Sequence, residues 1–165
     1  MSCVVTAKGK AAHSSMPHLG TNAVDILVDF VNEMKQEYKN IKEHDKVHEL
    51  DAVPMIEKHL HRKIGEEESH IYSGFVMLNS VFNGGKQVNS VPHKATAKYN
   101  VRTVPEYDST FVKDLFEKVI RHVGEDYLTV DIPSSHDPVA SDRDNPLIQN
   151  ITRIAPNYCL LYTSP

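Results

Sequence analysis

Between Thr21 and Lys39 the apolar residues fall at Ala23, Leu27, Phe30 and Met34, with Val24 and Val31 beside them. Steps of three and four place these side chains on one face of an α-helix, and Thr21 or Asn22 stands where an N-cap is wanted. A helix with one apolar stripe must bury it against another element, and the flanking sequence offers a sheet. Ser2 to Ala7 is short and β-branched, and it ends at Lys8-Gly9-Lys10. Ile71 to Phe82 is strand-like and runs into the turn residues Asn83-Gly84-Gly85-Lys86. Lys94 to Val104 alternates around Ala95, Ala97, Tyr99 and Val101, and Pro105, which has no N–H for a ladder, ends it. Asp108 or Ser109 can then cap a second helix that buries Val112, Leu115, Phe116, Val119 and Val123 and stops at Gly124. Tyr127 to Ile132 makes the last strand. The order βαββαβ predicts an α+β, ferredoxin-like sandwich, a four-stranded antiparallel sheet with two helices on one face. That architecture serves regulatory, RNA-binding and enzyme-accessory domains alike, so it does not by itself name a function.

Residues 40–70 fit this scheme poorly. They hold five of the ten histidines, His44, His48, His59, His61 and His70, among many charges, and are expected to form an exposed, partly helical insertion. The net charge of -4 and scattered lysines and arginines argue against a nucleic-acid surface or a polybasic membrane patch. Cys3 and Cys159 lie far apart without metal-ligand spacing, which suits a reducing cytoplasm. No run approaches the roughly 20 apolar residues of a membrane helix. The chain also opens directly on a strand, which is expected of a segment cut from a longer protein.

Chemistry of its own is hard to find. Metal catalysis needs three or more converging ligands, and only the pairs His44/His48 and His59/His61 suggest themselves, best read as solvated residues of the insertion. A triad built from His13 with Ser14 or Ser15 fails if the segment is extended, because neighbouring side chains then point to opposite faces. Gly84-Gly85-Lys86 lacks the spacing of a phosphate loop and reads as a hairpin turn.

One run stands apart: Gly9-Lys10-Ala11-Ala12-His13-Ser14-Ser15-Met16-Pro17-His18-Leu19-Gly20-Thr21-Asn22-Ala23. It closely resembles the G-x-x-A-H-S-S-x-P-x-x-G-x-N-A motif in the lid domain of the M20 metallopeptidase family. Asn89-Ser90-Val91-Pro92 and Asn100-Val101-Arg102-Thr103-Val104-Pro105 resemble the family's later N-x-x-P and N-x-R-x-x-P motifs, in the right order. The resemblance divides the chain into a lid and dimerisation domain over 1–133, a return segment toward a missing catalytic domain over 134–155, and a non-native tail over 156–165.

The resemblance implies a cytoplasmic homodimeric enzyme in which two zinc ions activate water to hydrolyse the amide of an N-acyl amino acid, with surroundings closest to the desuccinylases. The family's metal ligands and general base match nothing in this chain, so no metal site is expected in it and the piece alone should be inactive. The lid histidine, here His13, would reach into the partner's site and donate a hydrogen bond to the carbonyl under attack. Asn89 and Arg102 would bind substrate carboxylates, a task suited to a guanidinium. A turn-capping asparagine and an arginine in a surface ion pair are the plain structural readings of the same two residues. Gly20 is expected to serve a close backbone approach. The rival function is a free-standing regulatory or interaction domain that binds an amino acid or a partner chain.

Overall fold

A computed structural model of the chain describes residues 1–44, 52–66, 68–69, 74–139, 141–142 and 144–158. Four strands, β1 (Ser2–Lys8), β2 (Val76–Gly84), β3 (Lys94–Arg102) and β4 (Leu128–Ser134), form one antiparallel sheet in the order β2-β3-β1-β4. The helices α1 (Ala23–His44) and α3 (Ser109–Val123) cover one face, and the short α2 (Ala52–Leu60) and the terminal α4 (Pro146–Tyr158) complete the set. This is the ferredoxin-like sandwich that the alternation of periods predicts.

Each strand side chain takes its face from the pairing. Cys3, Val5 and Ala7 on β1 and Ala95, Ala97, Tyr99 and Val101 on β3 all turn toward the helices and are buried. Above them lie Leu27, Phe30, Val31 and Met34 of α1 and Val112, Leu115, Phe116, Val119 and Ile120 of α3. The rings of Phe30, Tyr99 and Phe116 meet at the centre, with Tyr99 and Phe116 edge to face at 5.3 Å between centroids. An ion pair from Lys118 of α3 to Glu37 of α1 (2.7 Å) ties the two helices outside the core.

Several boundaries differ from the sequence expectation. The first helix runs five residues past Lys39, because Tyr38 and Ile41 continue its stripe onto the core. The α1 cap is Asn22, whose side chain accepts from the Val24 N–H (2.9 Å), and the α3 cap is Asp108, which accepts from the Phe111 N–H (2.8 Å). β3 stops at Arg102 rather than Val104, since its partner β2 begins only at Val76, opposite Arg102. Residues 71–73 of the expected second strand lie outside the described residues. Within β2 the register shifts between Asn79 and Val81, so Ser80 is an extra residue in a bulge. The expected return segment contains a helix the sequence reading did not foresee: α4 starts at Pro146 and is capped by the Asn145 side chain, which accepts from the Leu147 N–H (2.9 Å). It carries exposed Leu147, Ile148, Ile151 and Ile154. Residues 156–158 belong to it, and the remainder of the expected tail lies outside the described residues.

Candidate functional site

The Gly9-to-Ala23 run forms a loop between β1 and α1, pinched shut at its base. Lys10 and Thr21 exchange backbone hydrogen bonds in both directions at 2.9 Å. Inside the pinch the chain turns at Ser14-Ser15 and winds through a 3-10 turn at Pro17–Leu19, closed by the Gly20 N–H donating to the Pro17 carbonyl (3.0 Å). A Cβ on Gly20 would sit 2.7 Å from the Lys10 carbonyl oxygen and 2.9 Å from the Ala12 Cβ. The close-approach reading of Gly20 therefore holds: any side chain there would push the pinch open.

This loop is stitched to a second loop more than seventy residues away in sequence. The Val91 N–H donates to the Ala12 carbonyl (2.8 Å), the Ser14 N–H donates to the Asn89 carbonyl (3.1 Å), and His13 bridges to Ser90 in antiparallel fashion. The Ala23 N–H donates to the Pro92 carbonyl (2.9 Å), which fixes the second loop to the start of α1. Two of the three expected site residues, His13 and Asn89, are thus brought side by side at one end of the sheet, both exposed. An open groove of about 490 Å³ lies between Asn83–Gln87 and Ser90–Thr96, lined by neither His13 nor Asn89. Gly84-Gly85-Lys86 opens this longer connection from β2 to β3, so the tight hairpin expected there is replaced by a loop reaching to His93, with Gly85 at a φ of 69° that favours glycine.

Arg102 is elsewhere. It ends β3, and the nine residues from Lys94 to Arg102 set it roughly 26 Å from the His13 end at about 3.3 Å per residue. Among the described residues the Arg102 guanidinium has no ion-pair partner and the Asn89 side-chain amide bonds to no backbone group.

The His13 ring has a neighbour the sequence reading set aside. Because the segment turns instead of running extended, Ser15 folds back, and its Oγ lies 2.8 Å from His13 Nδ1 while its backbone N–H points to the same nitrogen at 3.2 Å. The H-S-S triplet carried the signal; the assumption of an extended backbone hid it. Among the described residues no carboxylate bonds to His13, so a charge-oriented triad is not formed.

Of the insertion's two histidine pairs, only His59/His61 lies wholly among the described residues. His44 ends α1 with its ring against the Asn40 carbonyl (2.9 Å), and His48 and His70 lie outside the described residues. His59 sits in α2 and His61 follows it in a left-handed turn at φ 52°. No three His, Cys, Asp or Glu side chains among the described residues could hold a metal ion. No helix there is long and apolar enough to cross a membrane.

The chain shares 99% identity over 158 residues with a protein of Staphylococcus epidermidis named "Probable succinyl-diaminopimelate desuccinylase", covering 96% of this chain and 39% of the relative. A Staphylococcus aureus protein of the same name is 47% identical over 158 residues, 96% of this chain and 40% of that one. The chain therefore spans about two fifths of the length of these curated relatives. Among solved structures, an M20 family metallo-carboxypeptidase from Sulfolobus solfataricus superimposes with a TM-score of 0.60 at 19% identity, over 94% of this chain and 42% of that one. An aminobenzoyl-glutamate utilization protein from Klebsiella pneumoniae gives 0.59 at 16%, over 94% and 33%. At such identities these two likenesses speak to the fold alone. Residues 1–128 match the sequence model of the peptidase dimerisation domain, and with most of its length in that match the chain belongs to the M20 peptidase dimerisation-domain family.

Proposed function

We propose that the chain is the lid and dimerisation part of a cytoplasmic, zinc-dependent amidohydrolase of the succinyl-diaminopimelate desuccinylase kind, which hydrolyses the amide of an N-acyl amino acid as a homodimer. The names of its longer relatives support this reading over a free-standing regulatory domain. The observation that carries it is the placement of the three site residues. His13 and Asn89 share one end of the sheet and Arg102 ends the other, a separation longer than an acylated amino acid can span. One chain therefore serves two sites: His13 and Asn89 reach into the partner's, and Arg102 holds a substrate carboxylate in that of its own subunit.

The described residues do not fit the two zinc ions, since they offer no ligand set. In this reading the ions are held by the part of the longer protein that this chain does not span. His13 acts on the substrate alone, its ring N–H aimed where negative charge gathers on the carbonyl oxygen. Asn89 holds a carboxylate beside it through its amide N–H groups.

In the whole enzyme, His13→Ala should lower kcat by on the order of 100- to 1,000-fold, the range for one lost donor at such an oxygen, with zinc content unchanged. Co-expressing His13→Ala subunits with subunits lacking the general base should restore activity, because a mixed dimer then contains one complete site. Mixed dimers that stay dead while each parent folds and binds zinc would remove the action in trans.

A further inference from the structure

We propose that Ser15 is a positioning residue that holds His13 in the neutral tautomer with its proton on Nε2. The inference deepens the reading of His13 as a donor and rests on it for its purpose, though not for its test.

Imidazole is symmetric in function only until one of its nitrogens is engaged. A neutral ring carries one N–H and one lone pair, and whichever nitrogen accepts a hydrogen bond leaves the proton to the other. At Nδ1 of His13 the engaging group is a backbone N–H, that of Ser15 at 3.2 Å. A backbone amide donates and cannot accept, so this contact is a hydrogen bond only when Nδ1 is bare. The Ser15 hydroxyl at 2.8 Å is able to play either part, and with Nδ1 bare it too donates. The two Ser15 donors therefore converge on one lone pair, and together they disfavour the Nδ1–H form, in which the amide would face a second N–H. The proton is left on Nε2, on the far side of the ring, where a carbonyl oxygen from outside the chain can reach it.

The local fold makes this arrangement specific. The turn at Ser14-Ser15 swings Ser15 back over the ring, while the Ser14 N–H is spent on the Asn89 carbonyl (3.1 Å) and the Met16 N–H on the His13 carbonyl (2.9 Å). Ser15 alone in the turn has its N–H turned to the imidazole. Among the described residues nothing bonds to the ring of His18 or His93, both exposed on the same pair of loops, so they serve as internal comparisons.

The test is long-range proton–nitrogen correlation on the nitrogen-labelled 165-residue chain at about pH 9, above the ordinary imidazole value of about 6.5. His13 should show a protonated Nε2 and a bare Nδ1, while His18 and His93 show the averaged pattern of rings that exchange tautomers. Ser15→Ala, which removes the hydroxyl and keeps the backbone amide, should move His13 part of the way toward that average, and Ser15→Thr, which keeps the hydroxyl, should restore it. An averaged or Nδ1-protonated His13 in the unsubstituted chain, or a pattern indifferent to Ser15→Ala, overturns the proposal. In the whole enzyme Ser15→Ala should lower kcat about three- to tenfold, the scale of one hydrogen bond, with KM unchanged and Ser15→Thr near full activity. The donor role of His13 stands or falls separately, on His13→Ala.

Discussion

Among the described residues, Tyr99 is where local chemistry is left unsatisfied. Its ring is fully engaged between Phe30 and Phe116, yet its buried hydroxyl has no hydrogen-bond partner among the described residues, and burial pushes its ionisation well above the ordinary tyrosine value. A desolvated group with no partner costs free energy, so removing it should cost nothing. Tyr99→Phe is expected to match the unsubstituted chain or exceed it by up to about 1 kcal/mol in urea unfolding; a clear loss of stability would mean that the hydroxyl has found a partner. The same scale shows what the sequence could and could not convey about the site. His13 and Asn89 were recognisable from motif residues, and Gly20 from the demand for close approach. Their adjacency was not, since it depends on hydrogen bonds from Val91 to Ala12 and from Ser14 to Asn89, and nothing in either segment names the other.

At the scale of elements, α3 shows how a helix end borrows its cap from outside. Asp108 accepts from the Phe111 N–H, and Asp137, from the segment after β4, accepts from the Ser109 N–H at 3.0 Å. Asp108→Ala should cost about 1 kcal/mol, the usual worth of an N-cap, read by thermal or urea unfolding. The Ser109 side-chain hydrogen bond, and then its backbone N–H, hold the Asp137 carboxyl below its ordinary value. A depressed carboxylate contributes stability that is fully present above the unfolded value of about 3.9 and lost as pH falls through the lower folded one. Asp137→Asn should therefore weaken the chain at pH 7, and the difference should close below about pH 4. A gap that persists at pH 2 would assign it to something other than charge. Both helices of the sandwich were legible because one apolar stripe each survives translation into packing. The extension of α1 through Tyr38 and Ile41 continued that stripe but was lost among the charges that follow, and α4, with Asn145, Pro146 and its isoleucines, was overlooked as a connecting segment. The β2 bulge at Ser80 had no readable sign, because alternation counts residues and a bulge adds one without changing their kind.

For the whole molecule, the two edges of the sheet are unlike. β4 contains Pro133, which cannot donate, next to exposed Asp131, both of which discourage another strand. β2 has exposed Leu78 and Phe82, and Val28 of α1 is exposed as well. A second copy is thus expected along β2. Light scattering should give a dimer at tens of micromolar; Phe82→Lys should yield a folded monomer, and Thr129→Lys on β4 should leave the dimer intact. The reverse pattern would move the contact to the other edge, and a monomeric unsubstituted chain would remove it.

The extra residue in β2 bears on what kind of association such an edge permits. Asn79 and Val81 face consecutive residues of β3, Tyr99 and Lys98, so a chain lacking Ser80 could keep every other pairing and lay down a straight ladder. Straight, regular edges are templates that any extended segment can copy, including one from a half-folded neighbour during synthesis. The bulge at Ser80 interrupts that regularity and makes the edge harder for a straight strand to copy. Deleting Ser80 should therefore leave the monomer fold standing while replacing a closed pair with open-ended growth, seen as a lag phase followed by dye-binding fibres.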